Sequence, residues 1–218
     1  WWTYYITAAK KAIDANDSIR ILDWIFVLNA WTDWLHAENN DDDSLWYIYI
    51  GWGTFTIEAK DDWIHWTSIV QIDDGDFTIV SWEWIEWTYI QINWWNINIS
   101  ASDDGINAGK KSDEYTPTIE INGGNITIKM GQGDTDGLDS NGNLYINGGT
   151  IDITGQSPFD YDGEAKYNGG KMIVNGVETT EITNQMMGRG MMGGMQGGMP
   201  NDVEQGQIPN GRQNMQPN

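Results

Sequence analysis

Cysteine is absent from this 218-residue chain, so neither disulfide bonds nor thiolate-bound metals hold its fold, and the redox compartment is not written in it. Basic residues are scarce. Eleven Lys and Arg stand against 32 Asp and Glu, a formal net charge of -21, which repels nucleic acid and anionic bilayers and makes cations the natural counterpart. No run of about 18 apolar residues exists, so no membrane-spanning helix is expected. Neither a phosphate-cradling glycine loop nor a nucleophile motif is found. The chain opens without methionine on Trp1-Trp2-Thr3-Tyr4-Tyr5-Ile6-Thr7, which reads as the later half of a repeat. It is therefore expected to be a piece of a longer protein, any secretory leader lying upstream.

What is abundant is repetition. Ile121-Asn-Gly-Gly-Asn-Ile-Thr-Ile128 returns as Ile146-Asn-Gly-Gly-Thr-Ile-Asp-Ile153, with looser copies beginning at Ile50, Ile72, Ile92 and Tyr167. Each copy is a short alternating strand, a tight turn and a second alternating strand with its apolar residues every second position. One copy cannot bury its own apolar face. Phe26, Phe55, Phe77, Ile97, Ile126, Ile151 and Met172 mark the second strand at intervals of about 20 to 29 residues, a period that marks a solenoid. A further phrase supplies a third strand: Thr32-Asp-Trp-Leu-His-Ala37, Asp61-Asp-Trp-Ile-His-Trp66, Asp103-Asp-Gly-Ile-Asn-Ala108, Thr135-Asp-Gly-Leu-Asp-Ser140 and, less closely, Lys10-Lys-Ala-Ile-Asp-Ala15.

Three strands per repeat, stacked so that each pairs in parallel with its equivalent one turn on, predict an all-β parallel β-helix of about seven coils over residues 1–183. Ile57, Ile79, Ile99, Ile128 and Ile153 should form an inward ladder. Ala8–Ala15 could instead form a short helix, but the repeat register favours a strand. Asn39–Ser44 and Lys110–Pro117 read as polar insertions. Residues 184–218, rich in Gly, Met, Gln and Asn, read as a flexible tail; clustered methionines there could bind copper(I), though a low-complexity linker is the simpler reading.

All fourteen tryptophans lie at or before Trp95. Repeat alignment sets Trp34 and Trp63 at the place of Gly105 and Gly137, and Trp94-Trp95 at that of Gly123-Gly124; Trp84 makes another match. If half the tryptophans held the positive φ that turn glycines adopt, the backbone cost would be about 7 to 14 kcal/mol. Three origins fit the exchange: deliberate substitution, a genuine aromatic surface, or a codon read as glycine by the source and rendered as tryptophan.

Ser102-Asp-Asp-Gly-Ile-Asn-Ala108, Asp136-Gly-Leu-Asp-Ser-Asn-Gly-Asn143 with Ile146-Asn-Gly-Gly-Thr150, and Phe159-Asp-Tyr-Asp-Gly163 resemble a family of secreted bacterial carbohydrate-binding domain-containing proteins. The Gly/Met-rich tail is similar too. The resemblance spans residues 1 to about 200 and implies an extracellular, single-stranded right-handed parallel β-helix.

Asp33, Asp62, Asp104 and Asp136 share one repeat position and should stack about 4.8 Å apart, where like charges call for bound cations or protonation. A solvated acidic face is the plainer reading. Asp134, Asp136 and Asp139 lie in the densest oxygen cluster, the first choice for calcium, although it lacks EF-hand spacing. His36 and His65 could pair on neighbouring coils as metal ligands or acid and base; a solvent-facing repeat position explains them as well. For a sugar, Trp34, Trp63 and Trp84 form a column for ring stacking, with Asp62, Asp104, Asn107 and Asp136 as hydrogen-bonding or calcium-bridging groups. The expected function is a secreted, non-catalytic module that binds polysaccharide or cell-surface glycan with calcium assistance. A polysaccharide lyase or glycoside hydrolase is the alternative, and a structural spacer the third.

Overall fold

The computed structural model describes residues 2–184 except 32, 38, 40, 43, 44, 46, 60–63, 66, 67, 82–84, 133 and 134; the side chains of 59, 64, 65 and 85 are not described. Trp63, Trp84, Asp62, Asp134 and nearly all of the expected tail lie outside the described residues.

The described residues form three parallel sheets and no α-helix. Successive strands go to successive sheets, and each pairs with the strand three places later, an arrangement consistent with a β-solenoid. The first sheet runs from Thr3–Ala8 through Ile25–Ala30 to Lys171–Val174. The second runs from Ile13–Ala15 to Ser157–Tyr161, and the third from Ser18–Ile21 to Ala165–Tyr167. Ile13–Ala15 pairs in parallel with Leu35–Ala37, so the repeat register, not helix propensity, decides that segment.

Strict alternation drives the packing. In Asp76–Ser81 and Asn96–Ala101 every second side chain is buried, and the register sets like on like: Ile57, Ile79, Ile99, Ile128 and Ile153 stack in one column and all are at most 3% exposed. Burying an isoleucine contributes roughly 1.5 to 3 kcal/mol. The neighbouring column is aromatic in its earlier circuits. Tyr4, Phe26, Phe55 and Phe77 stack ring on ring at 5.3, 5.2 and 4.2 Å, and Trp95 lies 3.9 Å beyond Phe77.

The left-handed backbone expected at the exchanged glycines holds at one corner only. Ahead of the first-sheet strands, Gly53, Gly75, Gly124, Gly149 and Gly170 all have positive φ, and Trp24 shares it at 119°. Trp95, in the same column, does not. Gly105 and Gly137, whose place Trp34 takes, do not either; they are small because a Cβ on Gly105 would come 2.5 Å from the Gly137 carbonyl oxygen and 2.9 Å from an Ile128 methyl, and one on Gly137 would come 2.7 Å from an Ile153 methyl and 2.8 Å from the Pro158 carbonyl oxygen. Strain of about 1 to 2 kcal/mol thus falls on Trp24 alone among the described tryptophans.

The first sheet ends on a hairpin. Lys171–Val174 pairs antiparallel with Val177–Thr179 through Asn175-Gly176, both at positive φ, as a two-residue primed turn requires. Beside it, Asn184 Nδ2 donates to the Tyr161 carbonyl at 2.5 Å and is buried, so the first residue of the expected tail packs on the stack.

Candidate functional site

The expected site residues lie along the second sheet. One register row reads Asp14, His36, His65, Glu86, Asn107, Asp139, Asp160; His36 in it is buried at 4% exposure rather than solvent-facing as expected. His36 and His65 are register partners as expected, and His36 Nδ1 lies 2.8 Å from Asp14 Oδ1. Lys111, from the 109–117 insertion, reaches Glu86 at 2.5 Å. Toward the later circuits the row turns acidic without a cation among these partners.

Asp104 and Asp136 sit one circuit apart at the corner before this row, and Asp136 N donates to Asp104 Oδ1 at 2.9 Å. Burial pushes the Asp104 carboxyl up to about 6, helped by Asp103, Asp136 and Asp160. Burial likewise pushes Asp139 to about 7, with Asp104, Asp160, Asp136 and Asp162 adding repulsion. Asn107 Nδ2 lies 3.5 Å from Asp104 Oδ2, while its buried Oδ1 has no hydrogen-bond partner. Asp139 is the register partner of Asn107 on the next strand. Sequence reasoning missed Asp160; its signal was the 21-residue offset from Asp139, the same as that from Leu138 to Phe159.

Two expectations change. The four aspartates do not form one even column, because the circuit of Ile85–Trp87 lies between the strands Ile64–His65 and Ile106–Ala108, and Asp33 is itself buried at 4% exposure. Trp34 offers no ring to a sugar. It is 0% exposed and set edge-on against both Phe26 and Phe55 at 5.8 and 5.3 Å, because an indole at that corner fills the interior that Gly105 and Gly137 leave to the isoleucine methyls. Among the described residues, no group of three or more His, Asp or Glu side chains is arranged to hold a metal.

The third sheet carries a different outward face. One row reads Arg20, Tyr49, Gln71, Gln91, Glu120, Tyr145, Lys166, and the row beside it includes Tyr47, Ile69 and Tyr89. Tyrosine hydroxyls donate to a carboxylate one circuit on: Tyr49 to Asp73 at 2.6 Å, Tyr89 to Glu120 at 2.5 Å and Tyr145 to Glu164 at 3.2 Å. Burial pushes Asp73 and Glu120 up, but hydrogen bonds from Gln71, Tyr49 and Asn93 on the first, and from Tyr89, Gln91 and Asn122 on the second, outweigh it and leave both below the ordinary carboxylate value. They are ionised acceptors at neutral pH. Along the sheet's edge an amide ladder climbs from Asp73 through Asn93, Asn122 and Asn147 to Asn168, each Nδ2 donating to the residue one circuit back at 2.7 to 2.9 Å.

The sequence model of one family, described as carbohydrate-binding domain-containing protein, matches residues 2–86 and 86–197. The chain belongs to that family. Membership in the carbohydrate-binding domain-containing proteins points to sugar as partner, and it agrees with the resemblance carried by the Asp-Gly phrases. Neither curated proteins nor solved structures give a match. No helix among the described residues is long and apolar enough to cross a membrane.

Proposed function

We propose that this chain is an extracellular, non-catalytic module that binds or displays polysaccharide on the flank of a single-stranded right-handed parallel β-helix of about seven coils. The observation that carries the reading is the family match over residues 2–197 on a stack whose outward side chains recur at the strand repeat of about 4.8 Å. A surface of evenly spaced, equivalent side chains suits a ligand that repeats as well. Right-handedness is supported by the general rule that parallel crossovers within a sheet are right-handed in about 98% of cases. Calcium belongs to the proposal as the counterion of the carboxylates around Asp104, Asp136 and Asp139, whose mutual repulsion a divalent ion relieves.

A glycan array read with and without calcium, together with reducing-end assays on acidic polysaccharides, tests the reading. Binding without release of new reducing ends is the expected result. Silence in both assays supports the spacer. One observation favours a catalytic second reading: a carboxyl pushed up to about 7 at Asp139, with the carboxyl groups of Asp104, Asp160, Asp136 and Asp162 acting on it, resembles the paired acids glycosidases use. Reducing ends that appear with the native chain and vanish with Asp139→Asn would establish it.

A further inference from the structure

We infer that the sugar docks on the outward face of the third sheet, at its Arg20–Gln71 end, and that the ligand is a neutral, hydroxyl-rich polysaccharide rather than an acidic one. The inference rests on the carbohydrate-binding reading above and names its site and ligand class.

Three features single out this face. Arg20, Tyr47, Tyr49, Ile69 and Gln71 line a shallow cavity of about 290 Å³, in which Tyr47 is 39% exposed and the Arg20 guanidinium lies 5.3 Å from the Tyr49 ring centre. Tyr47 supplies the exposed aromatic face that the buried Trp34 cannot, and the C–H face of a pyranose stacks on such a ring. The second feature is order. Tyr49 is held through its hydroxyl by Asp73, and Asp73 by Gln71 and Asn93 at 2.8 and 2.7 Å, so the polar groups are set before a ligand arrives and little side-chain freedom is lost on binding. Farther along, the 109–117 insertion brings Tyr115 edge-on to Tyr89 at 6.5 Å, which raises a wall beside the same face.

The third feature is charge. Carboxylates and amides stand side by side here, Asp73 with Gln71 and Asn93 and Glu120 with Gln91, a set that accepts from and donates to sugar hydroxyls. Asp73 and Glu120 are held ionised, while the cations Arg20 and Lys166 stand only at the two ends of the row. A uronate or sulfate chain laid along the face would meet these carboxylates on a molecule of charge -21, whereas a neutral chain meets acceptors and donors for its hydroxyls without that repulsion.

Isothermal titration with a neutral β-linked glucose hexamer and a galacturonate hexamer tests this, using the full chain, Tyr47→Ala and Gln71→Ala, each checked for native near-ultraviolet circular dichroism. The neutral hexamer should bind, with a loss of about tenfold or more for Tyr47→Ala and a smaller loss for Gln71→Ala. Should the variants misfold, intermolecular NOEs between the neutral hexamer and the Tyr47 and Tyr49 ring protons of the unaltered chain are the expected result, and their absence on a bound sugar overturns the site. Unchanged affinity in both folded variants overturns the site while leaving the carbohydrate-binding reading standing. Tighter binding of the galacturonate hexamer overturns the ligand class. If a glycan array finds no ligand at all, both readings fall.

Discussion

Gly124 and Gly176 have nearly the same backbone, with φ of 85° and 78°, but different surroundings. A Cβ on Gly124 would run into the Trp95 backbone, whereas one on Gly176 would meet nothing within 4 Å. Gly176→Ala should therefore cost only the conformational part, about 1 kcal/mol. Gly124→Ala adds a backbone clash that no rotamer relieves and should cost about 3 kcal/mol or more. Urea unfolding of the two variants measures the difference, and equal losses would mean that crowding at the corner is not what selects glycine. The same distinction explains a sequence-level error: the letter G does not say whether a position needs positive φ or merely room. Gly105 and Gly137 need room.

The second-sheet row should set the pH dependence. Asp104 and Asp139 have folded pKa values raised to about 6 and about 7, above the ordinary carboxyl value of about 4. Between these limits the folded state binds more protons than the unfolded one. Stability is then greatest near the lower limit and is lost as pH rises through the folded values. Melting temperature should fall from pH 5 to pH 8, and Asp139→Asn should flatten that slope; a flat profile in the native chain would show that the cluster is solvated. Asp73 and Glu120, shifted the other way, act only at lower pH. On the third sheet, Asn122→Ala removes the ladder bonds to Asn93 and from Asn147 and the support it gives Glu120; at about 0.5 to 1.5 kcal/mol each the two ladder bonds alone should cost about 1 to 3 kcal/mol. Inward registers were legible in the sequence because alternation is local and every Ile column repeats it. The tyrosine face was not. Tyr49 and Tyr145 stand in one row and Tyr47 and Tyr89 in the next, and the carboxylates that hold Tyr49, Tyr89 and Tyr145 lie 24, 31 and 19 residues away, separations that only the stacked circuits bring together. Trp34 was placed in the correct column but on the wrong side of the wall, since the strand before a corner does not reveal which way a large side chain turns there.

For the molecule as a whole, a charge of -21 opposes compaction at neutral pH. A divalent cation that binds only the folded chain should offset this by mass action, so millimolar calcium should raise the melting temperature, and more at pH 8 than at pH 5, where protons already neutralise part of the cluster. Differential scanning calorimetry at the two pH values checks this, and no shift at either would leave the aspartates as an ordinary solvated face. The terminal hairpin has a mechanical consequence. Drawn outward by its C-terminal end, the chain would load the antiparallel pair Lys171–Val174 and Val177–Thr179 one bond at a time, so that element should yield first and at low force. Each circuit peeled after it holds about 20 to 29 residues and would lengthen the tether by about 70 to 100 Å, so the record from an optical trap should be a staircase that counts the turns of the stack.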